Sequence, residues 1–571
     1  MAEQGVSVTC EGGLDLVGTT HSLFRTPGVA TTLENYESSI HGGYRRINGF
    51  SKFGSNTPDN TSTNIEGIHS YAKGVVACQG SNIYYSADGN TWTQVNKDTY
   101  QNKTGTVSVT AGSPTVTGSG TSFTTEFSVG DDIKINNEIF NVLSISSNTS
   151  LTTDGNFAAT ASSQNIKKNG ADASQLASGS TIARVSQSDC KFALYEGESQ
   201  YGELFIVDGN NQPAYLRIDI ASGTHTYFFK EVQRSAPEKS KFATIFAERL
   251  VVAGDADNPQ VLSYSTRLKP EDFTGSSAGT IDVGDKIKQI KPFRNKLIVF
   301  CESSIFQVSG LDSTATVSGV TKNIGCVSGN TVQEIGGDLI FLAPDGLRTI
   351  AGTARIDDIE LSSISRKILP VFRDEVMPFL SSIRFASMVV REKSQYRLFY
   401  FRSGIANNIQ GGVIGTFKIS STGAGVYEWS TTKGIPAKIA HSGVDENGSE
   451  VLYHSDESGF VFNHDTGNSF DSSNIVATYK SPDLDYGDAG IRKTLYYIKT
   501  SIRSEGTNNN LKLLTRYDFE SGDVTQPAEI ALGALQTPAT FGSGSTFGTT
   551  IFGGTLFPQQ KTTLTGSGFT N

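Results

Sequence analysis

Charge is thin in this chain, and what there is leans acidic. Only 18% of its 571 residues are Asp, Glu, Lys or Arg, and the formal balance is −10. Gripping nucleic acid over a wide surface takes Lys and Arg to neutralise phosphate, so a protein of that kind is excluded. A wall past which DNA slides is not excluded, because a surface of the phosphates' own sign repels weakly and does not hold. Cysteine is scarce too. Cys10, Cys78, Cys190, Cys301 and Cys326 form no CxxC pair and no dense disulfide framework. Residues 1–20 lack a basic start followed by an apolar stretch; with the odd cysteine count this predicts reduced thiols made in a cytoplasm. No apolar run approaches the length of a membrane-spanning helix, so no stable membrane insertion is expected. Long helix-period patterns are missing. The best candidate is 364–380, and Pro370 and Pro378 break it into short pieces.

Glycine and aromatics are plentiful: 60 Gly, 33 Phe and 20 Tyr. β-Branched and aromatic runs between Gly, Asn and Asp turns predict strands, and the expected class is all-β. One repeat stands out. Residues 295–310 (NKLIVFCESSIFQVSG) align without a gap with 337–352 (GDLIFLAPDGLRTIAG), so that Leu297 matches Leu339, Ile305 matches Leu347 and Gly310 matches Gly352. The offset is 42 residues. A strand–turn–strand unit at that period marks a propeller blade, which cannot bury its apolar face alone. Looser copies start at Gly74, Glu203, Arg249, Tyr396 and Glu450, for up to seven hairpins. The expected fold is a β-propeller with an inserted small β module and extended terminal arms. The 295–310 and 337–352 strings are expected to be inner-strand hairpins of adjacent blades, with Leu297, Val299, Leu339 and Phe341 buried.

The chain divides by composition. Residues 1–54 read as an N-terminal arm with one short strand or helical turn around Ala30–Tyr36. Residues 55–103 read as a first blade. Residues 104–165 alternate strictly, as in Val107/Val109 and Ile133/Ile135, and are rich in Ser and Thr, which predicts an inserted β module on the outer side. Residues 166–480 hold the rest of the propeller, 481–530 additional strands that close or extend it, and 531–571 a Gly/Phe-rich tail with Lys561 as its one charged residue. Such a tail has too little apolar surface to fold alone and suits a strand donated to a neighbour.

Candidate chemistry is sparse. No Walker A, HExxH or GxGxxG-on-a-helix pattern occurs. Ser86–Trp92 (SADGNTW) resembles the Asp-box turn of sialidase-like propellers, in which the Asp caps a hairpin turn and the Trp packs beneath it; that role is structural. Gly275–Gly279 fits GxSxG formally, but lacks the flanking strand and helix of a nucleophile elbow. Asp483–Asp488 and Asp255–Asn258 read as turns; the first lacks the Gly and Glu of a calcium loop. His454 and His464, ten residues apart, fit no usual zinc spacing. Tyr44-Arg45-Arg46 reads as a solvated strand end or a subunit contact. No catalytic, cofactor-binding or metal residue is assigned, no cofactor is expected, and the chain reads as a non-enzyme.

Several segments together resemble the tail-nozzle or tail-hub proteins of tailed bacteriophages, also called packaged-DNA stabilisation proteins. They are 248–273, 281–310, 323–352 and 477–499, with the Gly/Phe tail and, more weakly, 10–54. The resemblance implies a structural virion protein, made in the host cytoplasm and placed in the virion tail. It implies a hexameric ring below the portal and adaptor proteins that lines the DNA-ejection channel, retains packaged DNA and carries tail fibres or spikes. Double-stranded DNA would pass transiently, along an acid-biased bore, with Arg45 and Arg46 at subunit contacts. The alternative from another class is a carbohydrate-binding or glycan-cleaving propeller on the virion surface, which the aromatic content and the single Asp box allow.

Overall fold

The computed structural model describes residues 7–19, 28–39, 42–97, 100–169, 182, 184–197, 199–232, 237–311, 315–350, 363–402, 410–419, 425–486, 497–501, 509–535 and 559–563. Between Ile65 and Asn474 seven small antiparallel sheets follow one another. Blade 1 is Ile65–Tyr71, Gly74–Gln79, Asn82–Ser86 and Thr93–Gln94. Blade 2 starts at Lys191–Tyr195, blade 3 at Phe242–Phe246, blade 4 at Ile287–Phe293 and blade 5, with three strands, at Gln333–Ile335. Blade 6 starts at Ile383–Val390 and blade 7 at Ile439–Val444.

The second strand of each blade explains the repeat. It is buried on both faces, so it reads as a continuous apolar run rather than an alternation. In blade 1, Val75 and Ala77 pack on blade 7 while Val76 and Cys78 pack on blade 2. In blade 3, Leu250 and Val252 face blade 2 while Val251 and Ala253 face blade 4. Leu297 and Val299 of blade 4, and Leu339 and Phe341 of blade 5, each face the preceding blade; all four are buried, as expected. Their neighbours Ile298, Phe300, Ile340 and Leu342 face the next blade. Every seam between neighbouring blades, blade 7 to blade 1 included, holds its own apolar cluster, so the propeller is closed. One expectation needs correcting: Lys296–Cys301 with Ile305–Ser309, and Asp338–Ala343 with Gly346–Thr349, are the second and third strands of blades 4 and 5. The innermost strands give no apolar run in the sequence because polar side chains interrupt them.

The N-terminal segment completes the ring. Phe50–Lys52 adds to Val461–His464 as the fourth strand of blade 7, with Phe50 opposite His464, and the chain then enters blade 1. Thr32–Glu34 extends blade 6, parallel to Gly425–Lys433 and antiparallel to Thr478–Lys480. Tyr36–Ser38 pairs with Tyr44–Arg46. Joining the two ends of the ring in one sheet leaves no open seam between first and last blade. The expected helix region 364–380 is three short turns: Arg366–Ile368, a wide turn at Val371–Val376, and Met377–Ser382. Pro370 and Pro378 interrupt it as the sequence suggests.

Between blades 1 and 2 the chain builds a closed six-stranded barrel from Tyr100–Val109, Thr115–Ser119, Asp132–Ile135, Glu138–Ser147, Ser150–Thr153 and Ala161–Asn169. Closure buries the alternating residues as a separate core that includes Val107, Val109, Ile133 and Ile135. The barrel leaves from the outermost strand of blade 1, and Asp132 meets Lys230 on the outermost strand of blade 2 at 2.8 Å. It therefore sits at the propeller's rim.

A second compact unit comprises 1–10, 18–29 and 481–571. Its described part holds two antiparallel pairs, Tyr497–Ser501 with Gln559–Thr563 and Asn509–Leu513 with Ile530–Leu535. Two stretches of the tail thus pair with strands of their own chain, where a neighbour was expected to receive them. The Phe-Gly repeats at 541–553 lie outside the described residues.

Candidate functional site

Polar residues on the innermost strands converge on the propeller axis. At the end where these strands begin, Asp189 pairs with Lys191 of blade 2 at 2.7 Å, and both reach Asn330 at the entry of blade 5. Asn330 Nδ2 donates to the two Asp189 oxygens at 3.2 and 3.3 Å. Burial alone would raise the Asp189 carboxyl; Lys191 and Asn330 outweigh it and hold it below the ordinary range. Arg384 of blade 6 pairs with Glu66 of blade 1 at 2.8 Å. Blades 3 and 4 stand between blades 2 and 5 on the ring, so the Asp189–Lys191–Asn330 contacts bridge the axis itself.

Deeper along the same strands lie His69 of blade 1, Lys291 of blade 4 and His441 of blade 7. The two imidazoles stack at a tilt, ring centres 4.5 Å apart. The Ser70 amide donates to His441 Nε2 at 3.1 Å, so that nitrogen carries the lone pair and Nδ1 the proton. His69 Nδ1 donates to the Ser70 carbonyl at 2.7 Å. Burial holds His69 down at about 4 and His441 well below the ordinary histidine range, with the Lys291 charge adding to both.

A different cleft opens on blade 2, lined by Ser199, Gln200, Glu203, Arg217 and Asp219, with a volume of about 500 Å³. The Arg217 guanidinium lies 3.7 Å above the Phe228 ring, and its Nε is 3.5 Å from Asp219 Oδ2. Gln200 is fixed by accepting the Ile220 amide at 2.9 Å. Ser199 Oγ and Arg217 Nε have no hydrogen-bond partner among the described residues. Burial, with Glu271 nearby, pushes the Glu203 carboxyl up against the opposing effect of Arg217. The cleft offers donors, carboxylate acceptors and a flat cation–aromatic stack side by side.

The segments singled out by sequence take structural places. Asp88 Oδ1 accepts the Asn90 and Thr91 amides at 2.9 and 3.0 Å, and Trp92 donates to the Asn56 carbonyl at 3.1 Å. The box locks the last turn of blade 1; a Cβ at Gly89, whose φ is +72°, would lie 2.0 Å from the Phe53 carbonyl oxygen. Ser277 of the GxSxG string lies in the irregular loop before Gly279–Asp282, where its carbonyl accepts from buried Arg249 at 2.7 Å. Asp255 accepts the Asp257 amide at 2.9 Å in a turn. Of the Asp483–Asp488 string, 483–486 is irregular backbone that follows Thr478–Lys480, and its remainder lies outside the described residues. Arg45 and Arg46 bond to Asn48 and Asn468 at 3.0 and 3.1 Å.

His454 and His464 do come together, in a buried ionic knot rather than a metal site. Arg397 Nη2 meets Glu37 and Asp465, each at 2.9 Å, and Lys393 meets the same two carboxylates at 2.8 and 2.7 Å. Arg397 Nη1 lies 3.0 Å from His464 Nε2, and His464 Nδ1 lies 3.2 Å from His454 Nδ1. Because the guanidinium can only donate, His464 accepts at Nε2 and donates at Nδ1, and both rings are neutral. Glu37 belongs to the N-terminal segment, so the knot pins that segment across blades 6 and 7.

No family model and no curated protein matches the chain. Among solved structures it is similar to the extracellular domain of a B. thetaiotaomicron protein described as a one-component system, at 10% identity and a TM-score of 0.24, covering 73% of this chain and 54% of that one. The chain thus spans about half the length of that relative. It is also similar to Hsv2 of Kluyvelomyces marxianus, at 6% identity and a TM-score of 0.24, covering 63% and 96%. A third is the endosialidase of phage phi92, at 12% identity and a TM-score of 0.20, covering 85% and 79%.

Proposed function

We propose that the chain is a structural protein of a tailed-phage virion tail, a nozzle or hub subunit that assembles with copies of itself into a ring beneath the portal and adaptor proteins. The observation that supports this reading most is where the resembling segments lie. Residues 248–273, 281–310 and 323–352 build the seams of blades 2 to 6, and 10–54 carries the strands and the Glu37 knot that shut the ring. The bridged axis leaves no route for DNA through a single propeller, so the channel is the space enclosed by several copies. Fibres or spikes would dock on outward surfaces such as the barrel. Sedimentation of the purified full chain tests the reading: six copies in one particle are expected, and a monomer at all micromolar concentrations overturns it.

The blade 2 cleft favours a second reading, a propeller that binds carbohydrate at the virion surface. Vicinal hydroxyls match the Glu203 and Asp219 carboxylates and the Gln200 amide that line the cleft, and a sugar face matches the Arg217–Phe228 stack. Binding to a glycan array that Asp219→Ala abolishes supports it; an array that stays blank with wild-type protein refutes it.

A further inference from the structure

We propose that the propeller axis holds a small tetrahedral oxyanion, of the inorganic phosphate or sulfate class, between Lys291, His441 and His69 of blades 4, 7 and 1. This site is independent of both readings above. Three observations converge on it. First, the Lys291 ammonium donates to no acceptor among the described residues, while Lys191, Lys288 and Lys296 each have one. Glu334 is the one carboxylate whose charge favours it, and Lys191 repels it. An ammonium desolvated without a counter-charge is costly, and an anion beside it removes that cost.

Second, His441 spends Nε2 on Ser70, so its Nδ1–H is a donor with no protein acceptor among the described residues. His69 spends Nδ1 on the Ser70 carbonyl and keeps Nε2 free to take a proton when an anion arrives. Third, Lys291, His69 and His441 all retain some accessible surface although they lie on inner strands, so open space adjoins them. The other charges facing the imidazoles are Lys291 on both and Arg391 on His441; Arg391 is already opposed by Glu450 at 3.8 Å. The net field at the site is positive.

The test is thermal unfolding of the full chain in chloride buffer at pH 6, titrated with inorganic phosphate, sulfate or adenosine monophosphate. Phosphate and sulfate should raise the midpoint in a saturable way beyond chloride of equal ionic strength, and the nucleotide should not. Lys291→Met should abolish the rise and start from a higher midpoint in phosphate-free buffer, since the uncompensated charge is gone. His441→Asn should weaken binding about tenfold, the effect of one charge-assisted hydrogen bond. If Lys291→Met does not fold, the wild-type protein still decides: sulfate, whose own charge is constant over this range, should bind more tightly at pH 6 than at pH 8 as His69 takes up a proton at Nε2. A midpoint that phosphate moves no more than chloride, a full rise in Lys291→Met, equal binding of the nucleotide, or binding indifferent to pH would each overturn the proposal.

Discussion

Arg397 keeps a full charge with a side chain only 1% exposed, and the residues around it show how the molecule tolerates that. Two carboxylates, Glu37 and Asp465, face two cations, Arg397 and Lys393, so no charge in the knot is left alone. Burial would raise the Asp465 carboxyl, but Arg397 and Lys393 outweigh it and hold it below the ordinary range. Removing one member strands the others: Glu37→Ala should cost about 3–5 kcal/mol, read by urea unfolding, because a cation remains buried with half its partners. The histidines add a pH dependence. Burial holds His454 at about 3 and His69 at about 4, and holds His441 and His464 well below the ordinary value of 6.5. Below pH 6.5 the unfolded chain binds protons that the folded chain refuses, so stability is full above that pH and falls as pH drops. Each histidine contributes up to about 1.4 kcal/mol per pH unit. The unfolding midpoint should therefore decline steadily from about pH 6.5 to about pH 4.5; a midpoint constant over that range would contradict the neutral, buried assignment. None of this was legible in the sequence. Glu37 lies 360 residues from Arg397, and His454 with His464 offered only a spacing that matched no metal site.

At the scale of elements, legibility followed burial. The second strands are enclosed on both faces, so they read as apolar runs that align between blades; the sequence shows up to seven such hairpins and leaves the blade count open, and the structure holds seven blades. Leu297→Ala and Leu339→Ala should each cost about 2–5 kcal/mol, since seams closed on both sides collapse poorly around a cavity; values under about 1 kcal/mol would contradict their place in the seams. The innermost strands carry Glu66, His69, Lys191, Lys291 and Arg384, whose polar side chains hid both the strands and the axis. In sequence the N-terminal strands look like an extended arm with one short strand or turn, because three residues, such as Thr32–Glu34 or Phe50–Lys52, show no periodicity. The barrel was legible as a module, and its strands run Tyr100–Asn169, beyond the 104–165 stretch marked by Ser/Thr composition. Its core is its own, so joining Asp98 to Ala171 should leave a propeller with unchanged near-UV circular dichroism. Insoluble or molten protein from that deletion would show that the propeller depends on the barrel for folding.

The whole molecule is built on a closed propeller whose seam, axis and rim module are each fastened by charged groups that meet inside the chain. With a net balance of −10, copies brought together in a ring would carry a net charge of the phosphates' own sign. The proposed function makes this propeller one subunit of such a ring, and single-particle images of the purified full chain test that assembly. The expected result is a sixfold ring with an open central bore, each subunit showing one seven-bladed disc. Isolated discs with no symmetric assembly, in a preparation where the chain is folded and concentrated, would contradict it.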